Sequence, residues 1–547
     1  MAHILTNPMQ DRSPTAYIAS GMPQPWRMAS FIIVATPLAV LAALSVVNSF
    51  IGHMTPDISV YLLDTRTFVQ TLNRFTLSWD SKGIMLMFIL ALPVRLFGAT
   101  LTAAALAQLC AHIIGVWFLF RTARLYTDRW SSVLLTLLIG CVLYSSFIWG
   151  GRVRPENFAF AFCAVCLYAA VRAQPRWWIA GGAMTACCLF LKISLAFAPA
   201  ATLIAGVVAD ASNQLSARGK QQTFFLSILA RHLGWILVGF VAITGAVLAW
   251  IVAFDDLGQW YRQTVEFPMQ NSQTYYGPRF QNISFLRTPL SLLTQSHLDY
   301  LFVACIPGLL YGWLKGFRRE ASLIGVLLMA EFLRVAFERS SYPYLLTIMS
   351  APMLLGVAFF GVEKRDSITS RLAWVAPLYL LVPLLIPTAR EQVTTLDLRA
   401  VKRLPSPYEY LAQKLRMRYR PGELIYVNAV NQQLVLLLNA PRPFPILYDY
   451  FVMAVPQDER SRTVKQYEER PPDWIITRKP ELNSVTTLGS PDGAYHVYLP
   501  TEALHDLPVS RTGSQLAVIG SASTQYALEI DTGYLQAWHL VETQTSS

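Results

Sequence analysis

Apolar runs of near-bilayer length recur from residue 29 to residue 387, and no other feature limits so tightly what this chain can fold into. They fall near 29–50, 101–120, 132–150, 157–171, 178–191, 193–208, 233–253, 299–314, 321–337, 341–361 and 371–387. Hydrocarbon offers no partner to a backbone N–H or C=O, so runs of this length must become helices. Hydropathy therefore predicts about eleven spans. Several are shorter than about 20 residues, as expected of helices inside a large bundle. Composition agrees: 14% of the residues are charged, where a soluble chain carries about 25%. The expected fold class is an α-helical polytopic membrane protein with added juxtamembrane helices.

Loop charges set an orientation. With the first span uncleaved and the polar tail 1–28 in the cytoplasm, the cytoplasmic segments are 121–130, 172–177, 209–232, 315–320 and 362–371. Each of them is basic, which satisfies the positive-inside bias and accounts for most of the net charge of +11. The assignment holds only if 83–97 does not cross, and Pro93 and Arg95 make it a poor spanner. The opposite side then collects 51–100, the turn 151–156, the turn at Lys192, the loop 254–298, the turn 338–341 and everything after about 388. The expected location is the cell (inner or plasma) membrane, with the N-terminus cytoplasmic. Basic runs interleaved with aromatics are lacking outside the spans, which argues against nucleic acid.

Three regions follow: the tail 1–28, a membrane domain over 29–387, and a soluble extracytoplasmic α/β domain over 388–547. In the last, Ser406-Pro407 opens an amphipathic helix to about Tyr419, and strands are expected at 424–427, 472–477, 494–499, 515–520 and 526–530. All seven cysteines lie in apolar runs. Cys163-x-x-Cys166 and Cys187-Cys188 lack histidine partners and read as packing groups.

The stretch 51–98 carries Asp57, Asp64, Arg66, Asp80 and Lys82 between apolar segments. A helix starting at Asp57 would put Asp57, Tyr61, Asp64 and Phe68 on one face and lie along the membrane surface. An acidic residue soon after the first span, an amphipathic stretch, then W-D-x-K-G (Trp79, Asp80, Lys82, Gly83) and an apolar run ending in L-F-G resembles the first extracytoplasmic loop of GT-C polytopic glycosyltransferases. The similar branch includes the dolichyl-phosphate-mannose-protein mannosyltransferases and the bacterial lipid A aminoarabinose transferases. Their motif more often reads D-x-K-P.

The resemblance implies roles. Asp57 matches the acidic catalytic position; the bare residue pattern also fits a helix cap. Glu156, in R-x-R-P-E-N, matches a second acidic position, and would otherwise be an ion-pair partner of Arg152 or Arg154. Lys192 matches a lysine beside the donor phosphate, and Arg339 with Tyr342 and Tyr344 the mouth of a late span near the lipid carrier. Arg152, Arg154 and Lys82 have the chemistry to hold phosphate, or to snorkel to headgroups. The expected reaction moves a sugar from a polyprenyl phosphate to a lipid, polysaccharide or protein acceptor, with Asp57 as base and inversion at the anomeric carbon. The loop 254–298, with Trp260, Tyr261, Tyr275 and Tyr276 among several amides, suits a sugar-binding lid or an interfacial loop. His53, four residues before Asp57, has no second histidine near it and leaves a divalent metal undecided. A nucleotide-binding glycine motif is missing. The rivals are a flippase for a lipid-linked saccharide, which would place charges at mid-membrane, and a non-catalytic scaffold.

Overall fold

The computed structural model describes residues 24–51, 54–77, 82–145, 153–218, 222–269, 286–338, 342–362, 382–383, 385–397, 405–427 and 432–442, with 465–466, 469–478, 488–489, 495–496, 525–532 and 535–541. The helices are α1 Gln24–Ile51, α2 Pro56–Thr71, α3 Ile84–Phe97, α4 Leu101–Ala123, α5 Arg129–Leu143, α6 Pro155–Arg172, α7 Pro175–Leu191, α8 Phe197–Arg218, α9 Gln222–Phe254, α10 Leu257–Tyr261, α11 Arg287–Gln295, α12 Asp299–Leu314, α13 Arg318–Glu338 and α14 Thr347–Ala358. Among the described residues, Ile32–Ile51, Leu101–Ala123, Ile193–Leu215 and Phe225–Phe254 are long and apolar enough to cross a bilayer alone, and α11 with α12 forms a pair bent by 111°. The protein is a multi-pass membrane protein. The other apolar runs form shorter or interrupted helices. Helix α6 shows why such a helix can be short: it is buried almost all round, so neighbouring helices rather than lipid surround it.

Prolines and caps punctuate the bundle. Pro155 and Pro175 occupy first turns, where their missing N–H costs nothing, and Asp128 caps α5 by accepting from the backbone N–H of Trp130 and Ser131. Helix α3 has 14 residues, about 21 Å of rise against a hydrocarbon core of about 30 Å. It packs against α2, α4 and α7.

The segment 209–232 is helical up to Arg218 and again from Gln222. The apolar run stops at Asp210, but no glycine or proline stops the helix there. Asp210 instead collects Gln214 Nε2 at 2.7 Å, His232 Nε2 at 2.9 Å and Arg319 Nη1 at 3.4 Å, tying α8, α9 and α13 together.

The C-terminal part is α/β. Ser406 and Glu409 form a reciprocal capping box on α15 Pro407–Leu415; the helix ends short of Tyr419 in a turn over 416–418. The strands β1 Ile425–Val427, β2 Trp474–Arg478, β3 Leu488–Gly489, β4 Tyr495–His496, β5 Gln525–Asp531 and β6 Leu535–Val541 form one sheet, ordered β1-β2-β6-β5-β4-β3. Only β1 and β2 run parallel. The strand expected at 515–520 lies outside the described residues, and β6, bearing Trp538 and His539, is an addition. A short helix, α16 Gln433–Leu437, completes the domain. Its apolar core takes in Val60 and Leu63 of α2, so α2 lies between bundle and sheet.

Candidate active site

Helix α2 begins where Thr55 accepts from the Ile58 backbone N–H, which places Asp57 in its first turn. Helix α6 begins after Arg154, which places Glu156 in the first turn there too. The two starts meet. Arg154 Nη1 lies 2.5 Å from Asp57 Oδ2, and the Arg154 guanidinium stacks 4.0 Å above the Tyr344 ring. Burial works against the Arg154 charge; Asp57, then Tyr61, Tyr344 and Glu156, outweigh it and raise its pKa. Glu156 itself meets Lys192, with Nζ to Oε1 at 3.5 Å, while Arg154, the described one of its two neighbouring arginines, pairs with Asp57.

Lys192 sits where α7 has ended and the 3-10 turn Ile193–Ala196 begins. Its Nζ donates to Glu338 Oε2 at 2.6 Å, and Ser194 Oγ donates to Glu338 Oε1 at 2.6 Å. Burial opposes the Lys192 charge as well, but Glu338 and Glu156 raise its pKa above the ordinary lysine value. Arg334, one turn back on α13, reaches Glu338 at 2.7 Å, Glu331 at 2.8 Å and the Leu345 carbonyl at 2.9 Å. Leu345 adjoins Tyr344, so the chain of contacts closes on itself.

Gly83 explains the position of Lys82. Its N–H donates to the Leu191 carbonyl at 2.9 Å, and a Cβ on it would lie 1.7 Å from the Phe190 carbonyl oxygen. Only glycine permits that approach, which sets Lys82 and Lys192 on either side of one backbone hydrogen bond. The turn leading there is held by Asp255 at the end of α9, whose carboxylate accepts the N–H groups of Arg74, Phe75 and Thr76 at 2.7, 2.8 and 3.3 Å.

Of the residues singled out in the sequence, Asp57, Tyr61, Arg154, Glu156, Lys192 and Tyr344 share this end of the bundle. Lys82 is half-buried beside them, and Tyr342 stacks on Tyr344 at 5.4 Å from an exposed position. Asp80, Arg152, Arg339 and His53 lie outside the described residues, as do Tyr275 and Tyr276. Trp260 packs on Phe190 with ring centroids 5.9 Å apart. Glu331, Arg334 and Glu338 were missed. Their spacing of three and four residues inside an apolar run is the signal that could have found them, because ionisable groups in such a run face a bundle interior. Among the described residues, no three His, Cys, Asp or Glu side chains converge as metal ligands would.

Four carboxylates and three cations thus occupy one closed network, alternating in sign along most of its length. The family profile of dolichyl-phosphate-mannose-protein mannosyltransferases matches residues 81–250. That match spans about a third of the 547 residues. The matched segment takes in Lys82, Arg154, Glu156 and Lys192; Asp57 precedes it. Its fold is similar to ArnT from Cupriavidus metallidurans bound to undecaprenyl phosphate, at 16% identity and TM-score 0.53, covering 84% of this chain and 95% of that one. The apo state of the same protein aligns at 15% identity and TM-score 0.51, covering 85% and 96%. The oligosaccharyltransferase AglB from Archaeoglobus fulgidus aligns at 11% identity and TM-score 0.41, covering 88% and 75%, too distant to carry an argument. No curated protein sequence matches the chain.

Proposed function

We propose that this protein is a GT-C glycosyltransferase that moves a sugar from a polyprenyl-phosphate carrier to a lipid, polysaccharide or protein acceptor on the extracytoplasmic side, by direct displacement with inversion. One observation carries the reading: the Asp57 carboxylate is held at the start of α2 by Arg154, with Glu156 and Lys192 next in the same network. Asp57 takes the acceptor hydroxyl proton as the oxygen attacks the anomeric carbon. The bond from that carbon to the phosphate oxygen breaks, and the phosphate leaves with the electron pair. Cations that stabilise the departing charge act in a partly desolvated place, where they count for more than in water. Lys192 and Lys82, flanking the Gly83 to Leu191 hydrogen bond, suit this task, and Arg152, Arg154 and Arg339 are further candidates. Tyr61, Tyr342 and Tyr344 supply aromatic surface for sugar or carrier, and Glu156 orients the acceptor or the base. Asp80, two residues before Lys82 in the sequence, is a further binding candidate.

A lipid-linked donor is supported by the bound undecaprenyl phosphate of the ArnT neighbour, and the side by the basic loops at the opposite end of the chain's spans. The domain limits 1–28, 29–387 and 388–547 belong to the same proposal.

The test is mass spectrometry of surface glycans and glycolipids from cells with and without the chain, and with Asp57→Asn. A glycosylated species should vanish without the chain. Asp57→Asn should lower it by about 10²- to 10⁴-fold. Unchanged product in Asp57→Asn at equal protein level would remove Asp57 as the base.

A further inference from the structure

Helix α2 is gripped at its start and at its middle by arginines from different parts of the chain. Near its start Asp57 meets Arg154 of the bundle. Seven residues on, Asp64 meets Arg442 of the C-terminal domain in a buried ion pair, the Asp64 side chain having no exposure and that of Arg442 9%. Seven residues of α-helix rise about 10.5 Å and return to within about 20° of the same direction, so the two carboxylates share a face. Arg66 Nη2 donates to the Ala440 carbonyl at 2.6 Å and its Nη1 to Asn439 Oδ1 at 3.2 Å. Asn439, at φ 50°, turns the chain after α16 and so presents that carbonyl. The Ser59 hydroxyl accepts the Gln432 N–H at 2.8 Å.

Apolar contact alone would hold α2 here, since Val60 and Leu63 already lie in the core of the C-terminal domain. A buried ion pair adds little to stability over apolar side chains of the same volume. It is selective about geometry, because a carboxylate turned away from its partner is stranded in an apolar core. Rotating α2 by one residue, about 100°, would strand Asp64 and at the same time swing Asp57 off Arg154.

We propose that the C-terminal domain is a positioning element of the active site: Arg442, acting through Asp64 with Arg66 and Ser59 in support, locks the rotation of α2 and so aims Asp57. This rests on the reading of Asp57 as the base. Arg442 is a positioning residue, and touches α2 rather than substrate.

The experiment uses the full-length chain, with product measured in cells at equal protein level and amide hydrogen exchange measured on the purified protein in detergent. Arg442→Met should cut product by about 10²-fold, the scale of an ångström-sized misplacement, and raise exchange at 58–64 while α4 and α6 stay protected. Arg442→Lys should recover part of both. The double variant Asp64→Asn/Arg442→Met buries no unpaired charge, so it should fold even if Arg442→Met does not, and should still lose product and α2 protection. Wild-type product, or wild-type exchange at 58–64, in that double variant would overturn the proposal. Asp57→Asn separates the two ideas: it should lower product by about 10²- to 10⁴-fold with exchange at 58–64 unchanged. If it leaves product intact, the base assignment fails, and the lock as a means of aiming that base fails with it. If Asp57→Asn is inactive while the double variant behaves as wild type, only the lock fails.

Discussion

Replacing Arg334 by methionine is the sharpest test of the buried network. Arg334 is almost wholly enclosed on α13 and holds Glu331 at 2.8 Å, Glu338 at 2.7 Å and the Leu345 carbonyl at 2.9 Å. Glu338 keeps Lys192 and Ser194 when the guanidinium is removed. Glu331 keeps nothing among the described residues, and its second oxygen is already without a hydrogen-bond partner. Removing one partner of a buried pair costs about 3–5 kcal/mol, so Arg334→Met should be severely destabilised. Glu331→Gln leaves Arg334 with Glu338 and should cost about 1–3 kcal/mol. The double variant Glu331→Gln/Arg334→Met strands no charge at that position, and should be more stable than Arg334→Met alone by about 1–3 kcal/mol. A stranded carboxylate takes up a proton rather than remain ionised in such surroundings. Proton uptake is easier at low pH, so the deficit of Arg334→Met should widen as pH rises and that of the double variant should not. The assay is thermal unfolding in mild detergent followed by tryptophan fluorescence, with the three variants compared at two pH values. A double variant less stable than Arg334→Met would show that Glu331 is not held in place by its arginine, and the reasoning would fall.

Four further outcomes are expected. Gly83→Ala must move a Cβ that would stand 1.7 Å from the Phe190 oxygen; the overpacking should cost about 1–3 kcal/mol and product should fall with it, whereas Gly140→Ala, inside α5 with nothing within 4 Å of the added carbon, should cost less. Asp255→Asn weakens the acceptor for three backbone N–H groups at 74–76; a loss of about 1–3 kcal/mol in unfolding and a drop in turnover are expected. Because the Lys192 pKa is raised, its contribution is full below the ordinary value of 10.5 and lost as pH climbs through the folded-state value. Thermal stability should therefore show an alkaline decline that is reduced in Lys192→Met, with no pH dependence from this residue near neutrality. Ser406→Ala removes the capping box and should cost about 1 kcal/mol with transfer unchanged, measured by melting and product mass spectrometry.

How much of this was legible in the sequence depended on whether the signal was local. Helix α2 was, because Thr55-Pro56-Asp57 is a start signal and the apolar spacing behind it is helical; the structure begins the helix at Pro56. The capping box at Ser406 was legible for the same reason. The helical character of 209–232 was not legible because hydropathy measures solvation and a helix ends for reasons of backbone and capping: Asp210 ends the apolar run, while Gln214 on its own helix and His232 and Arg319 from two others keep it inside the protein. Partner choice was the least legible. Glu156 stands two residues from Arg154 and four from Arg152, and proximity in sequence suggested an arginine, yet it meets Lys192, 36 residues on. In a first helical turn, side chains at the cap and two residues later point about 200° apart around the axis, so Arg154 and Glu156 face different neighbours. That divergence lets one helix start serve two purposes, with Arg154 fixing Asp57 on α2 and Glu156 joining Lys192 and Glu338. The triad Glu331, Arg334 and Glu338 was hidden by the opposite fault. Its spacing was visible, but averaging over an apolar window dilutes three charges among apolar residues, although it is their rarity in such a run that gives them meaning. Weighing each ionisable group against the hydropathy of its own window marks Glu331, Arg334 and Glu338 as facing the bundle interior.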